Sequence, residues 1–322
     1  MLIEFLLLIV GLVILVWSAD RFVFGAAAIA NNFGLPPMII GLTIVALGSS
    51  APEIMVSATA ALEGKMNTAV GNVIGSNITN ITLVLGITAL LKPLMVSSSI
   101  LFRELPLVLA ATAIAGWVLN DLYLGYAEGT VLLGFFIAMM AFLIISALRQ
   151  RKGAKVDPII EEAESEVPSD VPTKKALMWL IVGMVLLPLS ADLLVNSASE
   201  IARYFGMSDL VIGLTIIAVG TSLPELAACI AGVMKKEDDL VLGNIIGSNL
   251  FNILAVLAVP AMLAPGEVDA HAAGRDFYVM MGVTVVLFIM AMGFGKSRRI
   301  SRWEGGLLCS GFIGYQMLLF LG

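Results

Sequence analysis

The chain contains 322 residues, of which 59% are hydrophobic and 13% are charged, and it has a formal net charge of −6 and a mean hydropathy of +1.01. This composition excludes an ordinary soluble domain. The apolar runs reach the roughly 20 residues that a helix needs to cross a membrane, and they lack the alternation of an outer-membrane β-barrel, so they predict an all-α membrane protein.

The predicted spans fall into two groups of five. The first helix covers residues 2–33, and no basic residue precedes its apolar run, which favours a retained helix over a cleaved signal peptide. The other spans of the first half are predicted at 38–62, 67–91, 102–119 and 124–148. A polar stretch with prolines predicts a linker at 149–175. The second half repeats the plan at 176–197, 210–234, 240–263, 277–294 and 305–321. The predicted domains are therefore two five-helix repeats, 1–148 and 176–322, joined by the linker.

Basic residues divide unequally between the two sides of this topology. Of the 18 Lys and Arg residues, fifteen fall on the side of the linker, and the other side receives only Lys65, Arg203 and Arg275. Because short cytoplasmic loops are enriched in Lys and Arg, we expect the linker in the cytoplasm and both termini outside. An acidic run in the linker, at 161–166, leaves a cation-sensing role open.

Two motifs occur twice, and in both the second copy follows the first at the same distance along the chain. The first is GLTIVALGSSAPE at 41–53 and GLTIIAVGTSLPE at 213–225, which end in Glu53 and Glu225. The second is GNVIGSNITNI at 71–81 and GNIIGSNLFNI at 243–253. Glu225 follows Glu53 by 172 residues, and this separation is the repeat offset of the chain. Seventeen of the 25 positions in 41–54 and 71–81 are identical in the second copy. A glutamate at the centre of a membrane helix costs about 2.5–3.5 kcal/mol, so two at equivalent positions indicate a functional role.

An odd number of spans in each half makes the second half enter the membrane from the opposite side. The sequence therefore predicts ten transmembrane helices as two inverted five-helix repeats, an architecture of secondary transporters that bind substrate near the membrane midplane. Pro52 and Pro224 precede the two glutamates, and proline in a helix removes a donor and clashes with the preceding turn. We therefore expect broken core helices at both motifs.

Each copy of the motifs is predicted to present a cluster of oxygen atoms. Residues at i−3, i−4 and i−7 from each glutamate share its helix face, and the serine and asparagine of the second motif are spaced i, i+4. The first copy contributes Glu53, Ser50, Ser49, Ala46, Ser76 and Asn80. The second copy contributes Glu225, Ser222, Thr221, Ala218, Ser248 and Asn252. Carboxylate, hydroxyl, amide and carbonyl oxygens suit Ca²⁺ and alkali cations rather than zinc or copper.

Other residues are expected to have structural roles. Interface positions are predicted for Asp20 and Asp192, which also keep the repeat offset. Helix capping or helix linking is predicted for Asn72, Asn77, Asn244 and Asn249. Close helix approach is predicted at Gly71, Gly75, Gly243 and Gly247. We expect small core residues at Cys229 and Cys309 and a solvated loop at His271.

These motifs make the chain resemble the sodium/calcium exchanger family, within the cation/Ca²⁺ exchanger superfamily. GSSAPE and GTSLPE, each followed by a GN-x-IGSN-x-x-NI segment, are similar to the two alpha repeats of that family, and the resemblance covers essentially the full chain. It is closest to short prokaryotic members, which implies the cytoplasmic membrane of a prokaryote and no prosthetic group.

The resemblance also implies a ligand set. Glu53 and Glu225 would be shared ligands of Ca²⁺ and Na⁺. Further ligands would be the hydroxyl groups of Ser49, Ser50, Ser76, Thr221, Ser222 and Ser248 and the carbonyl groups of Ala46 and Ala218. Asn80 and Asn252 fall at the remaining central positions, of which one is often an aspartate in the family. With amides at both, the Na⁺:Ca²⁺ ratio and any coupling to protons stay open.

The predicted function is exchange of Na⁺ for Ca²⁺ by alternating access, with the first and sixth helices sliding against a four-helix core. A Ca²⁺/H⁺ antiporter and a passive cation channel stay open as alternatives. The repeats contain no histidine or additional acid, which weighs against the first, and inverted repeats favour a carrier over a channel. An enzyme is not expected, because neither an HExxH nor a GxSxG motif occurs.

Overall fold

The structure, a computed structural model, describes residues 2–152, 171–206, 218–293 and 298–321. Most of the predicted linker, 153–170, and part of the predicted seventh span, 210–217, lie outside the described residues. The principal helices are α1 Leu2–Phe33, α2 Pro37–Ser49, α3 Ala51–Leu62, α4 Met66–Leu91, α5 Ile100–Val118, α6 Tyr126–Lys152, α7 Thr173–Tyr204, α8 Leu223–Met234, α9 Asp238–Leu263, α10 Ala272–Met292 and α11 Arg302–Leu321. A short helical turn, Ala218–Gly220, precedes α8.

Seven helices in the described part of the chain are long and apolar enough to cross a membrane, namely α1, α4, α5, α6, α7, α9 and α10. Helices α2 and α3 together form an eighth candidate span, bent by 45°. Helix α8 has only 12 residues, and residues 210–217 of its predicted span lie outside the described residues. The chain is therefore a multi-pass membrane protein, and the count of ten spans stays a prediction.

A helix break precedes each of the two motif glutamates. Ser50 (φ −83°, ψ 10°) separates α2 from α3, and Ser222 (φ −90°, ψ 6°) directly precedes α8. Pro52 and Pro224 lie in the first turns of the new helices, where the missing N–H group of proline has no helical partner to lose. The breaks thus lie where the prolines predict them.

Wide π-helical turns recur at equivalent positions of the two halves. Asn80–Val84 in α4 matches Asn252–Val256 in α9, and Ile100–Glu104 in α5 matches Ala272–Asp276 in α10, both at the repeat offset. Helices α3 and α8 begin and end at the same offset. Because π turns are rare and frequently lie at functional sites, the turns that begin at Asn80 and Asn252 favour a functional role for both asparagines.

Two short strand pairs connect the halves. Strand β1, Leu94–Met95, pairs antiparallel with β4, Arg299–Ile300, and β2, Tyr123–Leu124, pairs antiparallel with β3, Gly266–Glu267. Each pair takes one strand from either half, and β3 follows β1 at the repeat offset. The loops at the ends of the helices are therefore tied across the two halves.

Glycines allow α2 and α9 to approach closely beside the first helix break. A Cβ atom at Gly247 would lie 2.6 Å from the carbonyl oxygen of Leu42, and one at Gly243 would lie 2.6 Å from that of Met38. The close approach predicted for these two glycines is therefore present. Gly71 and Gly75 have no described atom within 4 Å of the same position, and their equivalent partner segment, 210–214, lies outside the described residues.

We expect Gly247→Ala to destabilise the protein by about 1–3 kcal/mol, because the added methyl group meets backbone that a side-chain rotation cannot move. The melting temperature of the purified protein in detergent should fall accordingly. Gly282→Ala in α10 is the matched control, since a Cβ atom there has no described neighbour within 4 Å. Equal melting temperatures for the two variants would contradict the proposed role of Gly247 in packing.

Candidate functional site

Glu53 and Glu225 lie in the first turns of α3 and α8, directly after the two breaks. Both side chains are fully buried. The carboxylates are near enough for their charges to repel each other. The first turn of a helix carries partial positive charge, which stabilises an anion there. The breaks thus bring two carboxylates from distant parts of the chain into one buried centre.

Serine hydroxyl groups join the two copies of the motif around Glu225. The Ser50 hydroxyl donates to Glu225 Oε1 at 3.2 Å, and the Ser248 hydroxyl lies 3.5 Å from the same oxygen. The Ser49 hydroxyl donates to Asn244 Oδ1 at 3.0 Å and lies 3.3 Å from Ser248 Oγ. Two serines of the first copy therefore contact three residues of the second copy.

Eight buried polar atoms of the predicted ligand set have no hydrogen-bond partner. They are both carboxylate oxygens of Glu53, Oε2 of Glu225, Oγ of Ser222 and both side-chain amide atoms of Asn80 and Asn252. Ser76 lies beside Glu53, but without the geometry of a hydrogen bond. Buried polar atoms almost always have partners, and each unpaired one costs about 1–3 kcal/mol, so these atoms are candidates for binding a ligand. Most of these atoms are oxygens, the atom type that Ca²⁺ and Na⁺ prefer.

For the other predicted ligands, the described contacts with the two glutamates are fewer. The carbonyl oxygen of Ala46 accepts the backbone N–H of Ser50 at 2.9 Å, so it already has a partner. Ser76 is buried next to the centre, and Thr221 is half-buried at the second break. Ala218 is described only through the backbone of the short helical turn that it begins. No described contact places Ala218 at the centre.

Two supporting pairs were absent from the predicted site. The side-chain amide of Asn72 donates to the Glu53 carbonyl oxygen at 3.2 Å and to Ser57 Oγ at 3.0 Å. The equivalent Asn244, which accepts from Ser49, donates to Cys229 Sγ at 3.5 Å. Asn72 and Asn244 therefore link helices, in agreement with their predicted role. Ser57 and Cys229 are also separated by the repeat offset, and that relation was the signal that could have identified them.

The remaining polar residues lie in varied settings. Asn77 donates within its own helix to the Val73 carbonyl oxygen at 2.8 Å, and neither amide atom of Asn249 has a partner, so the described contacts give these two no linking role. Asp20 forms an ion pair with Lys235, which agrees with an interface role. Asp192 accepts a hydrogen bond from Asn196 and lies outside the centre, as do half-buried Cys309 and exposed His271. Cys229 is a small buried residue, as predicted.

Among the described residues, the charge of the centre comes from its two carboxylates. Within the described ranges, no group of three or more His, Cys, Asp or Glu side chains is arranged to hold a metal ion. A centre with two negative charges is neutralised by one divalent or two monovalent cations. Its remaining oxygens come from uncharged hydroxyl and amide groups.

Known proteins are similar to this chain over nearly its whole length. The family model described as sodium/calcium exchanger protein matches residues 3–145 and 175–321. The chain is 57% identical over 320 residues to the Alkalimonas amylolytica protein named "Putative antiporter CaxA", with 99% of each chain covered. It is 43% identical to inner membrane protein YrbG of Escherichia coli, with 99% of this chain and 98% of the other covered.

The fold is similar to that of a solved exchanger. A structure of the sodium-calcium exchanger NCX_Mj, soaked with Na⁺ and Ca²⁺, is 31% identical and superimposes with a TM-score of 0.83 over 99% of both chains. The family model, the relatives and the fold agree, and the chain belongs to the sodium/calcium exchanger family.

Proposed function

We propose that this protein is a secondary active antiporter that exchanges Na⁺ for Ca²⁺ across a membrane. The observation that carries the proposal is the pair of fully buried carboxylates, Glu53 and Glu225, together with the unpaired polar atoms of the two motif copies. One Ca²⁺ or two Na⁺ ions would neutralise this pair. The likeness to NCX_Mj, a sodium-calcium exchanger, supports these two ions as the substrates.

Both ions would compete for one set of ligands at this centre. Glu53 and Glu225 would supply the charge, with neutral oxygens from the motif copies completing the coordination. The proposed neutral ligands are Ser49, Ser50, Ser76, Asn80, Thr221, Ser222, Ser248, Asn252 and the carbonyl groups of Ala46 and Ala218. Competition at a shared site gives exchange when the empty site does not cross, because the carrier can then return only with the other ion bound.

For the architecture we propose ten membrane-spanning helices in two inverted repeats, 1–148 and 176–322, joined by the linker 149–175. The constant offset of α3 and α8 and of the π turns supports two equivalent halves. The strand pairs support the two-fold relation, because exchanging the halves converts the pair β1·β4 into the pair β3·β2.

For the orientation we propose a cytoplasmic linker and external termini, in the inner membrane of a prokaryote. Residues predicted on the linker side do lie together, since Lys92 Nζ lies 2.8 Å from Asp238 Oδ1 and Arg298 donates to Ser98 Oγ at 2.9 Å. Residues predicted on the other side also meet, since the Asp269 N–H donates to Asn67 Oδ1 at 2.8 Å. The name of the relative YrbG, an inner membrane protein, supports this membrane.

Alternating access would follow from movement of the long helices α1 and α7 against the helices that carry the site. A dianionic centre is expensive in a low-dielectric environment, whereas a neutralised centre is not. The protein with bound ions would therefore pass through an occluded state, whereas the ion-free protein would not. An ion shifts the equilibrium between two states only if it binds them with different affinity.

The test is uptake of radioactive Ca²⁺ into proteoliposomes that contain the purified protein and an outward Na⁺ gradient. We expect uptake that depends on the Na⁺ gradient and disappears when Na⁺ is equal on both sides. Uptake driven by a proton gradient alone would instead support a Ca²⁺/H⁺ antiporter with the same glutamates. Uptake that follows the membrane potential without any counter-ion gradient would identify a channel.

A further inference from the structure

An ion pair joins the end of α8 to the long helix α1. Asp20 Oδ1 lies 2.5 Å from Lys235 Nζ. Lys235 is the C-cap residue of α8, and its side chain is only 18% exposed. Helix α1 also packs along α8. The pair therefore ties a helix that is proposed to slide to the helix that carries Glu225.

Lys235 is the partner of Asp20 that belongs to a different helix. Arg21 Nε lies 3.7 Å from Asp20, but Arg21 belongs to α1 and would move with it. The Arg21 guanidinium lies over the ring of Trp179 in α7, 5.0 Å from the ring centroid, so it follows the pair of long helices. The ionic connection between α1 and α8 thus depends on Lys235.

The equivalent positions in the other half carry different charges. Glu63 is the C-cap residue of α3, as Lys235 is of α8, and each is followed by a residue of positive φ, 71° at Gly64 and 60° at Lys236. Asp192 in α7 follows Asp20 at the repeat offset. The counterpart of an Asp–Lys pair is therefore an Asp–Glu pair, at which like charges would repel.

The two halves also differ in packing. Among the described residues, α7 has no packing against α3 that is comparable to that of α1 against α8. Asp192 instead accepts a hydrogen bond from Asn196 at 3.0 Å, and Glu63 is paired with Lys65 at 2.7 Å. Helix α1 therefore packs against α8, while the equivalent contact of α7 with α3 is not made among the described residues.

We infer that the pair of Asp20 and Lys235 is a one-sided latch, which holds the conformation in which α1 packs against α8 and has no counterpart in the reciprocal conformation. This inference rests on the proposed function, because a latch presupposes alternating access. Movement to the reciprocal conformation would break the latch and bring Asp192 towards Glu63. In the proposed orientation the latch closes the cytoplasmic side, so it favours binding of ions from outside.

The latch is tested by electron-spin distance measurements between labels on the full-length protein. Exposed positions for the labels are Phe33 at the end of α1 and Met234 at the end of α8, each replaced by cysteine. The native thiols are removed by Cys229→Ser and Cys309→Ser, and serine already occupies the position equivalent to Cys229, at Ser57. The measured quantity is the ratio of two populations of the protein, one with a short distance between the labels and one with a long distance.

We expect Asp20→Asn and Lys235→Gln each to lower this ratio about two- to five-fold, the range for an ion pair that is partly exposed. Exchanging the two charges, by Asp20→Lys together with Lys235→Asp, should restore the ratio. Glu63→Lys should lower the ratio in an otherwise native chain, because the new lysine would attract Asp192 in the reciprocal conformation. The control is Glu200→Gln, which breaks an exposed ion pair within α7 and should leave the ratio unchanged.

The outcomes separate the latch from the function on which it rests. An unchanged ratio in Asp20→Asn and Lys235→Gln would overturn the latch, even where the native protein carries out Na⁺-driven Ca²⁺ uptake. Absence of that uptake in the native protein would overturn the proposed exchange, even where the variants shift the distances. A loss of ratio that the charge exchange does not restore would show that Asp20 acts through packing and not as a latch.

Discussion

Glu53→Gln and Glu225→Gln should each lower Na⁺-driven Ca²⁺ uptake by about 100-fold or more. Glutamine keeps the size of the side chain but removes one of the two charges that face the ion. A bound Ca²⁺ would then leave a net positive charge in a buried centre, where charges interact more strongly than in water. A 100-fold loss corresponds to about 2.8 kcal/mol, which is modest for removal of a charged ligand from a buried ion.

The control is Glu200→Gln in α7, where the side chain is exposed and paired with Arg203. Its Ca²⁺ uptake should stay within about twofold of the native rate, since surface ion pairs contribute little. Uptake by Glu53→Gln at the level of this control would exclude Glu53 from the ion site.

A second measurement separates loss of the site from loss of the fold. Neither carboxylate oxygen of Glu53 has a hydrogen-bond partner, so an ionised Glu53 destabilises the ion-free protein. Glu53→Gln should therefore melt at an equal or higher temperature than the native protein when no divalent ion is present. Added Ca²⁺ should raise the melting temperature of the native protein, because it binds the folded state, and should not raise that of the variant. A variant that simply misfolds would melt lower in both conditions.

Much of the centre was predictable because the repeat and the cost of burial act together. Glu53 and Glu225 stand in apolar runs where an acid is unfavourable, and the constant repeat offset makes coincidence an inadequate explanation. The helix breaks were predictable because proline has the same local effect in any sequence context. These features depend on local chemistry, which a sequence states directly.

Contacts between distant segments were not predictable in the same way. The Asn244 bond to Cys229 was hidden because the equivalent position in the first half is Ser57, so the repeat is not identical there. The π turns at Asn80 and Asn252 have no compositional signal, since any residue can start one. Lys235 was placed on the linker side, but only the packing of α1 on α8 makes it the partner of Asp20.

Asn252→Asp should make Ca²⁺ transport sensitive to the membrane potential. Asn252 is fully buried, begins a π turn, and has no partner for either amide atom, so an aspartate there would face the same ligand cluster. The native centre has two negative charges, so exchange of one Ca²⁺ for two Na⁺ moves no net charge. A third carboxylate would bind a third Na⁺, and each Ca²⁺ would then exchange for three positive charges.

The effect can be measured in vesicles whose membrane potential is fixed by K⁺ and valinomycin. Movement of one elementary charge through 100 mV is worth about 2.3 kcal/mol, which corresponds to a change of about 40-fold in the steady-state Ca²⁺ accumulation ratio. Native protein and Asn252→Ala, which adds no charge, should show the same accumulation at 0 and 100 mV.

If the native protein already responds to potential in this way, the centre carries a charge beyond Glu53 and Glu225. Equal responses in Asn252→Asp and Asn252→Ala would place Asn252 outside the ion site. In the proposed exchange, the number of carboxylates in the centre, rather than the identity of its neutral oxygens, would determine how many charges cross the membrane in each cycle.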